Sequence, residues 1–158
     1  MTICVLYHSE TGITKSFAAA IQKQLEQKGH KVVNHQLKSL APIKQASVRD
    51  KQEISFEALP NPAEFDALLF GGPVWAFGPS PAIVAAIRQM VLKGKNCAGF
   101  ATMGFPFGWM GGNAALRYME RELRTKGAQI IPGAICTRAT KDIATLMQKR
   151  ATALATAF

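Results

Sequence analysis

The sequence predicts an α/β fold: a doubly wound, five-stranded parallel sheet with helices on both faces, formed by residues 1–158 as one domain. Three observations predict it. Short apolar, β-prone runs alternate with segments of helical period along the whole chain. The central run, Phe65 to Phe70, is almost wholly apolar, as a strand covered on both faces must be. At 158 residues, 48% hydrophobic and 18% charged, the chain can bury one core of ordinary size.

The elements follow in order. Residues 2–7 form a first strand, and a polar loop runs from His8 to Gly12. Phe17, Ile21 and Leu25 recur at helical spacing until Gly29 stops the helix. Lys31 to Leu37 reads as a second strand. Residues 38–62 are polar and irregular, with room for one short helix. Phe65 to Phe70 is the third strand, broken by Gly71-Gly72-Pro73. Ser80 and Pro81 mark an N-cap and first helical position, and Ile83, Ile87, Met90 and Val91 share the apolar face that follows. Cys97 to Met103 is the fourth strand, and a glycine-rich loop runs from Gly104 to Gly112. A helix carrying Leu116, Met119 and Leu123 ends near Gly127. Gln129 to Cys136 is the fifth strand, interrupted at Pro132-Gly133, and the last helix carries Ile143, Leu146, Met147 and Leu154. Sheets of this kind use right-handed crossovers and bind ligands beyond the carboxyl ends of their strands, where the winding reverses. The loops after the first, third and fourth strands are therefore the ones to inspect.

The first of these, Tyr7 to Lys15, joins a strand directly to a helix start, where free backbone N–H groups and the helix dipole favour an anion. Ser9, Thr11 and Thr14 add hydroxyls, and Gly12 lets the backbone approach closely. A plain N-cap explains one such hydroxyl, not three. The pattern is neither the P-loop G-x-x-x-x-G-K-S/T nor the dinucleotide G-x-G-x-x-G. Ser9 to Thr14 resembles the Ser/Thr-x-Thr-Gly-x-Thr phosphate loop of flavodoxins, the family that binds flavin mononucleotide (FMN). The resemblance implies strand order 2-1-3-4-5, and flavodoxins are themselves a standard instance of the switch-point rule, with FMN between the first and third strands. It also implies that Ser9, Thr11, Gly12, Ile13 and Thr14 hold the FMN phosphate. Lys15 departs from the neutral pattern and is read as an exposed helix residue.

The second loop, Gly71 to Pro79, is similar to the Gly-Ser/Thr-Pro-x-Trp stretch of the same family, with Gly72 where Ser or Thr is usual. On this resemblance Pro73, Val74, Trp75, Ala76 and Phe77 line the flavin ring, and Trp75 is the stacking wall. The third loop, Thr102 to Asn113, covers the other flavin face in flavodoxin-like proteins. Thr102, Met103, Gly104 and Gly108 would meet the ring's pyrimidine edge, with Phe107 or Trp109 as the second wall. Core packing would account for an isolated Trp75 or Phe77, but less readily for aromatics set in a second loop rich in Gly and Pro, and a bland surface loop would not need the four glycines of the third.

Other functions of such folds fit less well. A receiver domain needs acidic residues after the first strand and an Asp ending the third, where this chain has His8, Ser9 and Gly71. A low-molecular-weight phosphatase needs Cys-x5-Arg near the N-terminus, and no Arg follows Cys4 at that spacing. Cys4, Cys97 and Cys136 are scattered and odd in number, so they read as buried free thiols and not as metal ligands. No apolar run is long enough for a membrane span, and the N-terminus lacks the features of a signal peptide, which places the protein in the cytoplasm.

The net charge is +9, of which residues 111–158 carry +5 (8 basic, 3 acidic). The charges are dispersed over helices with no basic stripe, so nucleic acid is not the expected partner. The residues and the resemblance together support an FMN oxidoreductase that takes electrons from NAD(P)H and passes them to a quinone-like acceptor. A flavodoxin-type one-electron carrier serving a redox protein is the alternative, and a non-enzymatic FMN-binding interaction protein is a third. The acidic docking surface usual in carriers is at odds with +9. A homo-oligomer is compatible with the enzyme reading, since related reductases pair subunits over the flavin. No catalytic acid or base stands out, although His8 and Tyr7 lie near the first loop.

Overall fold

A computed structural model of the chain describes residues 1–50 and 52–158. Strand β1 (Thr2–Tyr7) leads through a loop into α1 (Ile13–Gln27), and β2 (Lys31–Gln36) follows. After an irregular segment come β3 (Ala67–Trp75), the two-residue β4 (Gly78–Pro79) and α2 (Pro81–Gln89). The remainder is β5 (Asn96–Met103), α3 (Gly112–Thr125), β6 (Gln129–Ile130), β7 (Ala134–Thr137) and α4 (Ile143–Ala155).

The parallel sheet runs β2-β1-β3-β5-β6, and β7 pairs with β5 just beyond β6. Counting β6 and β7 as the two pieces of an edge strand split at Pro132-Gly133, this is the predicted 2-1-3-4-5 order. Strand alternation distributes the core over both faces. Ile3, Val5 and Leu69 pack with Phe17, Ile21 and Leu25 of α1 and with Met147 and Leu154 of α4. Cys4, Leu6, Leu68 and Phe70 pack on the other face with Ile83 and Ile87 of α2 and with Met119 and Leu123 of α3. Buried helix stripes at three- and four-residue spacing are what the sequence periodicity required.

Three local expectations are corrected. Gly71-Gly72-Pro73 does not break the third strand: β3 continues to Trp75, with Gly71, Gly72 and Pro73 paired to Phe100, Ala101 and Thr102. The proline is tolerated because β1 has already ended. The Gly71 carbonyl accepts from the His8 N–H (2.9 Å), so the pleat turns Pro73 to the same side, one step beyond β1. Gly71 has its own reason to be glycine, since any Cβ there would collide with the Phe100 ring on β5. The fourth strand expected over Cys97 to Met103 is β5, so Thr102 and Met103 stand at its end and the loop proper starts at Gly104. The irregular segment forms no α-helix among its described residues, only a bridge between Ser39 and Phe56 and a 3-10 turn at Pro62–Glu64. Val91 does not share the buried face of α2, because the helix stops at Gln89 and leaves Val91 78% exposed.

The close approach at Gly71 gives a first prediction. Gly71→Ala should destabilise the fold by about 1–3 kcal/mol, the usual cost of overpacking a core, with Gly71→Ala/Phe100→Leu recovering part of the loss. Urea denaturation of the three proteins measures it, and an unchanged midpoint in the single variant would refute the packing argument.

Candidate functional site

The site is assembled where β1, β3 and β5 end side by side. Gly12 precedes α1 in the left-handed region at φ 89°, a conformation that favours glycine, and no side chain of its own caps the helix. The Ser9 hydroxyl accepts instead from the N–H groups of Gly12 (3.2 Å) and Lys15 (3.4 Å). The first turn of α1 holds no acidic residue, so amides and dipole together present an anion-attracting end. Thr11 and Lys15 are exposed, and Ser9, Gly12 and Ile13 are half-buried.

Thr14 turns inward. Its side chain is buried, and its Oγ1 lies 2.7 Å from Thr102 Oγ1 at the end of β5. Two residues that sequence assigned to opposite ends of a ligand, phosphate and ring, are thus in direct contact. Each hydroxyl carries one proton and only one is used between them, so the pair keeps a donor in reserve.

His8 makes a second cross-link. Its Nδ1 lies 2.7 Å from the Ser80 hydroxyl and its Nε2 lies 3.4 Å from a Glu10 carboxylate oxygen. The carboxylate takes a donor from Nε2, so in the neutral ring Nδ1 accepts from Ser80. Ser80 precedes α2 but spends its hydroxyl on His8 and does not cap its own helix. The His8 side chain is buried, and desolvation pushes its pKa below the ordinary histidine range, with Glu10 opposing.

Trp75 is only 7% exposed, edge-on to His8 with ring centroids 5.1 Å apart. It packs inward and does not present an open wall. The ring that does stand out is Phe77, 63% exposed. Ala76 and Phe77 are the two residues of a tight hairpin between β3 and β4, at φ 49° and 60°. Both are left-handed, as a type I′ turn demands. Phe105 of the third loop lies parallel to Phe77, the planes 2° apart and the centroids 6.1 Å apart. Sequence reasoning passed over Phe105, since nothing in Phe105-Pro106-Phe107 distinguishes one ring from the other.

Phe107 and Trp109 stack on each other at 6.0 Å and border a cavity of about 880 Å³ on the outer side of the third loop between α3 and α4. No residue of the first loop lines that cavity. The second and third loops touch at Gly111 (φ 117°), where a Cβ would stand 3.0 Å from the Phe77 Cα. Val74 reaches the same glycine, Pro73 is half-buried above the end of β1, and Gly104 is exposed while Gly108 adjoins Asn113.

The thiols do not contribute a nucleophile. Cys4 and Cys97 are buried and pushed up to about 12, and burial raises Cys136 as well. Among the described residues no group of three His, Cys, Asp or Glu side chains could hold a metal ion, and no helix is long and apolar enough to cross a membrane.

A parallel α/β sheet with a helix start free of acidic residues and exposed aromatic rings at its switch point has the layout of a nucleotide-binding α/β fold. The flavodoxin family model matches residues 5–152, and the chain belongs to that family. Family membership makes FMN its cofactor, and the acid-free start of α1 beside an exposed pair of parallel rings fits a molecule with a phosphate and a flat aromatic system. Among solved structures, oxidised flavodoxin 2 from Bacillus cereus is similar over 100% of both chains, with 20% identity and a TM-score of 0.68. A putative flavoprotein from Bacteroides uniformis is similar over 94% of this chain and 96% of its own (19%, 0.68). A flavoprotein from Lactobacillus acidophilus, solved in complex with FMN, is similar over 85% and 92% (22%, 0.63). A search of curated proteins found no match.

The buried His8 leads to a pH prediction. Its folded pKa lies below the unfolded value of 6.5. Below that pH the unfolded chain takes up a proton that the folded chain resists, so stability falls as pH drops. Wild type should therefore lose more stability than His8→Gln between about pH 7.5 and 5.5, read as urea midpoints. Equal losses would show that His8 does not titrate against the fold.

Proposed function

We propose that the chain is a cytoplasmic FMN oxidoreductase that takes electrons from NAD(P)H and delivers them to a quinone or a similar acceptor. The observation that carries the flavin site is the convergence of the three loops, with Thr14 bonded to Thr102 and Phe77 parallel to Phe105.

In this reading the α1 amides and the Ser9 and Thr11 hydroxyls bind the phosphate. The Thr14–Thr102 pair braces the loop from below and keeps one proton to donate. Phe77 and Phe105 flank the ring, and the Gly104 and Gly108 backbone meets its polar edge. A sandwiched flat ring needs about 7 Å between the flanking planes, twice the optimal carbon–carbon separation. The planes can be no farther apart than the 6.1 Å between the ring centroids, so the loops must part by about 1 Å or more to admit a flavin. Trp75 supports the hairpin from within. Bound FMN supplies the hydride and electron chemistry, and the protein supplies orientation, exclusion of water and charge.

The family match favours a second reading, an electron carrier. The net charge of +9 favours the enzyme, because an anionic dinucleotide is attracted to a basic chain.

Three measurements test these statements. FMN at 100 times its dissociation constant should stabilise the folded protein by about 2.7 kcal/mol, a rise in melting temperature of roughly 5–10 °C for a chain of this size. A colourless protein with an unshifted melting temperature would exclude the flavin site. Ser9→Ala/Thr11→Ala should weaken FMN roughly tenfold or more, the worth of a hydrogen bond to a charged group, and leave riboflavin, which has no phosphate, unaffected. Equal weakening of both ligands would contradict the phosphate assignment. With FMN bound, quinone-dependent oxidation of NADH or NADPH supports the enzyme; its absence beside electron exchange with a redox protein supports the carrier.

A further inference from the structure

We propose that Arg138 sets the redox poise of the site, holding a fixed positive charge where the third loop meets the flavin and so favouring the negatively charged reduced form. The proposal rests on the flavin site described above.

Two links place the backbone around Arg138, and one contact places its side chain. The Arg138 N–H donates to the Met103 carbonyl at 2.9 Å, which extends the β5–β7 ladder past the end of β5. Its guanidinium lies across Gly104: a methyl at Gly104 would be 3.4 Å from both Nε and Nη2. The neighbouring Thr137 hydroxyl donates to the Phe105 carbonyl, tying the same segment to the next residue of the loop. An exposed cation thus lies over Gly104, next in sequence to Phe105; the first is assigned to the polar edge of the flavin and the second to its face.

Among the described residues no carboxylate lies within ion-pair distance of Arg138. The acids on the surrounding loops are engaged elsewhere. Glu10 faces His8, and Asp142 accepts from the Thr145 N–H and hydroxyl at the start of α4. Lys141 is a further cation on the segment between β7 and α4 that carries Arg138.

The consequence follows from charge balance. Oxidised FMN that takes two electrons and one proton gains one negative charge; with two protons it gains none. A nearby guanidinium lowers the energy of the first outcome and cannot itself lose its proton. The bound flavin then accepts electrons more readily and keeps its second proton less tightly. That poise suits a site refilled by a nicotinamide donor and opposes a strongly reducing shuttle.

The test compares wild type, Arg138→Gln and Arg138→Lys, each loaded with FMN and titrated with dithionite against a reference dye. Arg138→Gln should lower the two-electron midpoint by about 30 mV, a tenfold loss of preference for reduced over oxidised FMN. The pH at which uptake changes from two protons to one should rise by about one unit, the same tenfold factor. Arg138→Lys should keep most of the wild-type midpoint, and added salt should shrink the difference between wild type and Gln. Equal midpoints and equal proton uptake in wild type and Gln, with FMN bound by both, would overturn the role of Arg138 and leave the flavin site standing. Failure of wild type itself to take up FMN would overturn the site and the proposal together.

Discussion

The whole site hangs on how closely β3 and β5 approach at Gly71. The Phe100 ring fills the space that a side chain at Gly71 would occupy, and the same ring packs edge-on to Phe17 of α1. This contact sets β5 against β3 and α1 against both, so that the carboxyl ends of β1, β3 and β5 finish together. The hydroxyl pair Thr14–Thr102 can form only because of that alignment. It spans 88 positions of sequence across a buried gap, and a buried polar pair tolerates little slippage, since separating the partners strands both hydroxyls without water.

Much of this was legible in the sequence. The period-2 and period-3.6 patterns located the parallel sheet and its helices, and the hydroxyl-rich first loop marked the start of α1. The errors have physical causes. Glycine and proline ordinarily end strands, yet β3 passes through Gly71-Gly72-Pro73 because β1 has already ended on the side that Pro73 faces. The hairpin after Trp75 carries Ala-Phe where such a turn normally advertises itself with Asn-Gly. Trp75, read as a wall, is drawn inward by a histidine whose partner Ser80 lies 72 positions away. No local pattern announces a pairing of that length. Arg138 was likewise invisible as a site residue, being one of 19 basic residues until the β5–β7 ladder set it over Gly104.

Two cross-links bind the first loop to the rest of the site, and they differ in kind. Thr14–Thr102 is neutral and indifferent to pH, whereas His8–Ser80 depends on a ring that titrates. The first joins the start of α1 to the end of β5, and the second joins the end of β1 to the start of the helix that follows the hairpin. Ser80 leaves its own helix start without a side-chain cap in order to reach His8. A capping serine is worth about 1 kcal/mol, so the buried contact forgoes a local gain for a tertiary one.

The hairpin makes the same exchange more sharply. Two strands joined by two residues take the primed turn that matches their twist, and that turn puts both residues at positive φ. Alanine and phenylalanine in this region each cost roughly 1–2 kcal/mol relative to ordinary backbone, where Asn-Gly would cost little. A strain of this kind persists only where the surroundings hold it, and here Gly111 packs against the Phe77 backbone so tightly that a Cβ would collide. What the strain secures is the direction of one side chain. Phe77 points away from the core, half of its ring or more in solvent, parallel to Phe105 on the facing loop. A glycine at 77 would relax the turn and remove the ring, and a phenylalanine one residue earlier would belong to the other side of the hairpin. The aromatic slot therefore exists because the fold carries a locally unfavourable turn at the end of its central strand.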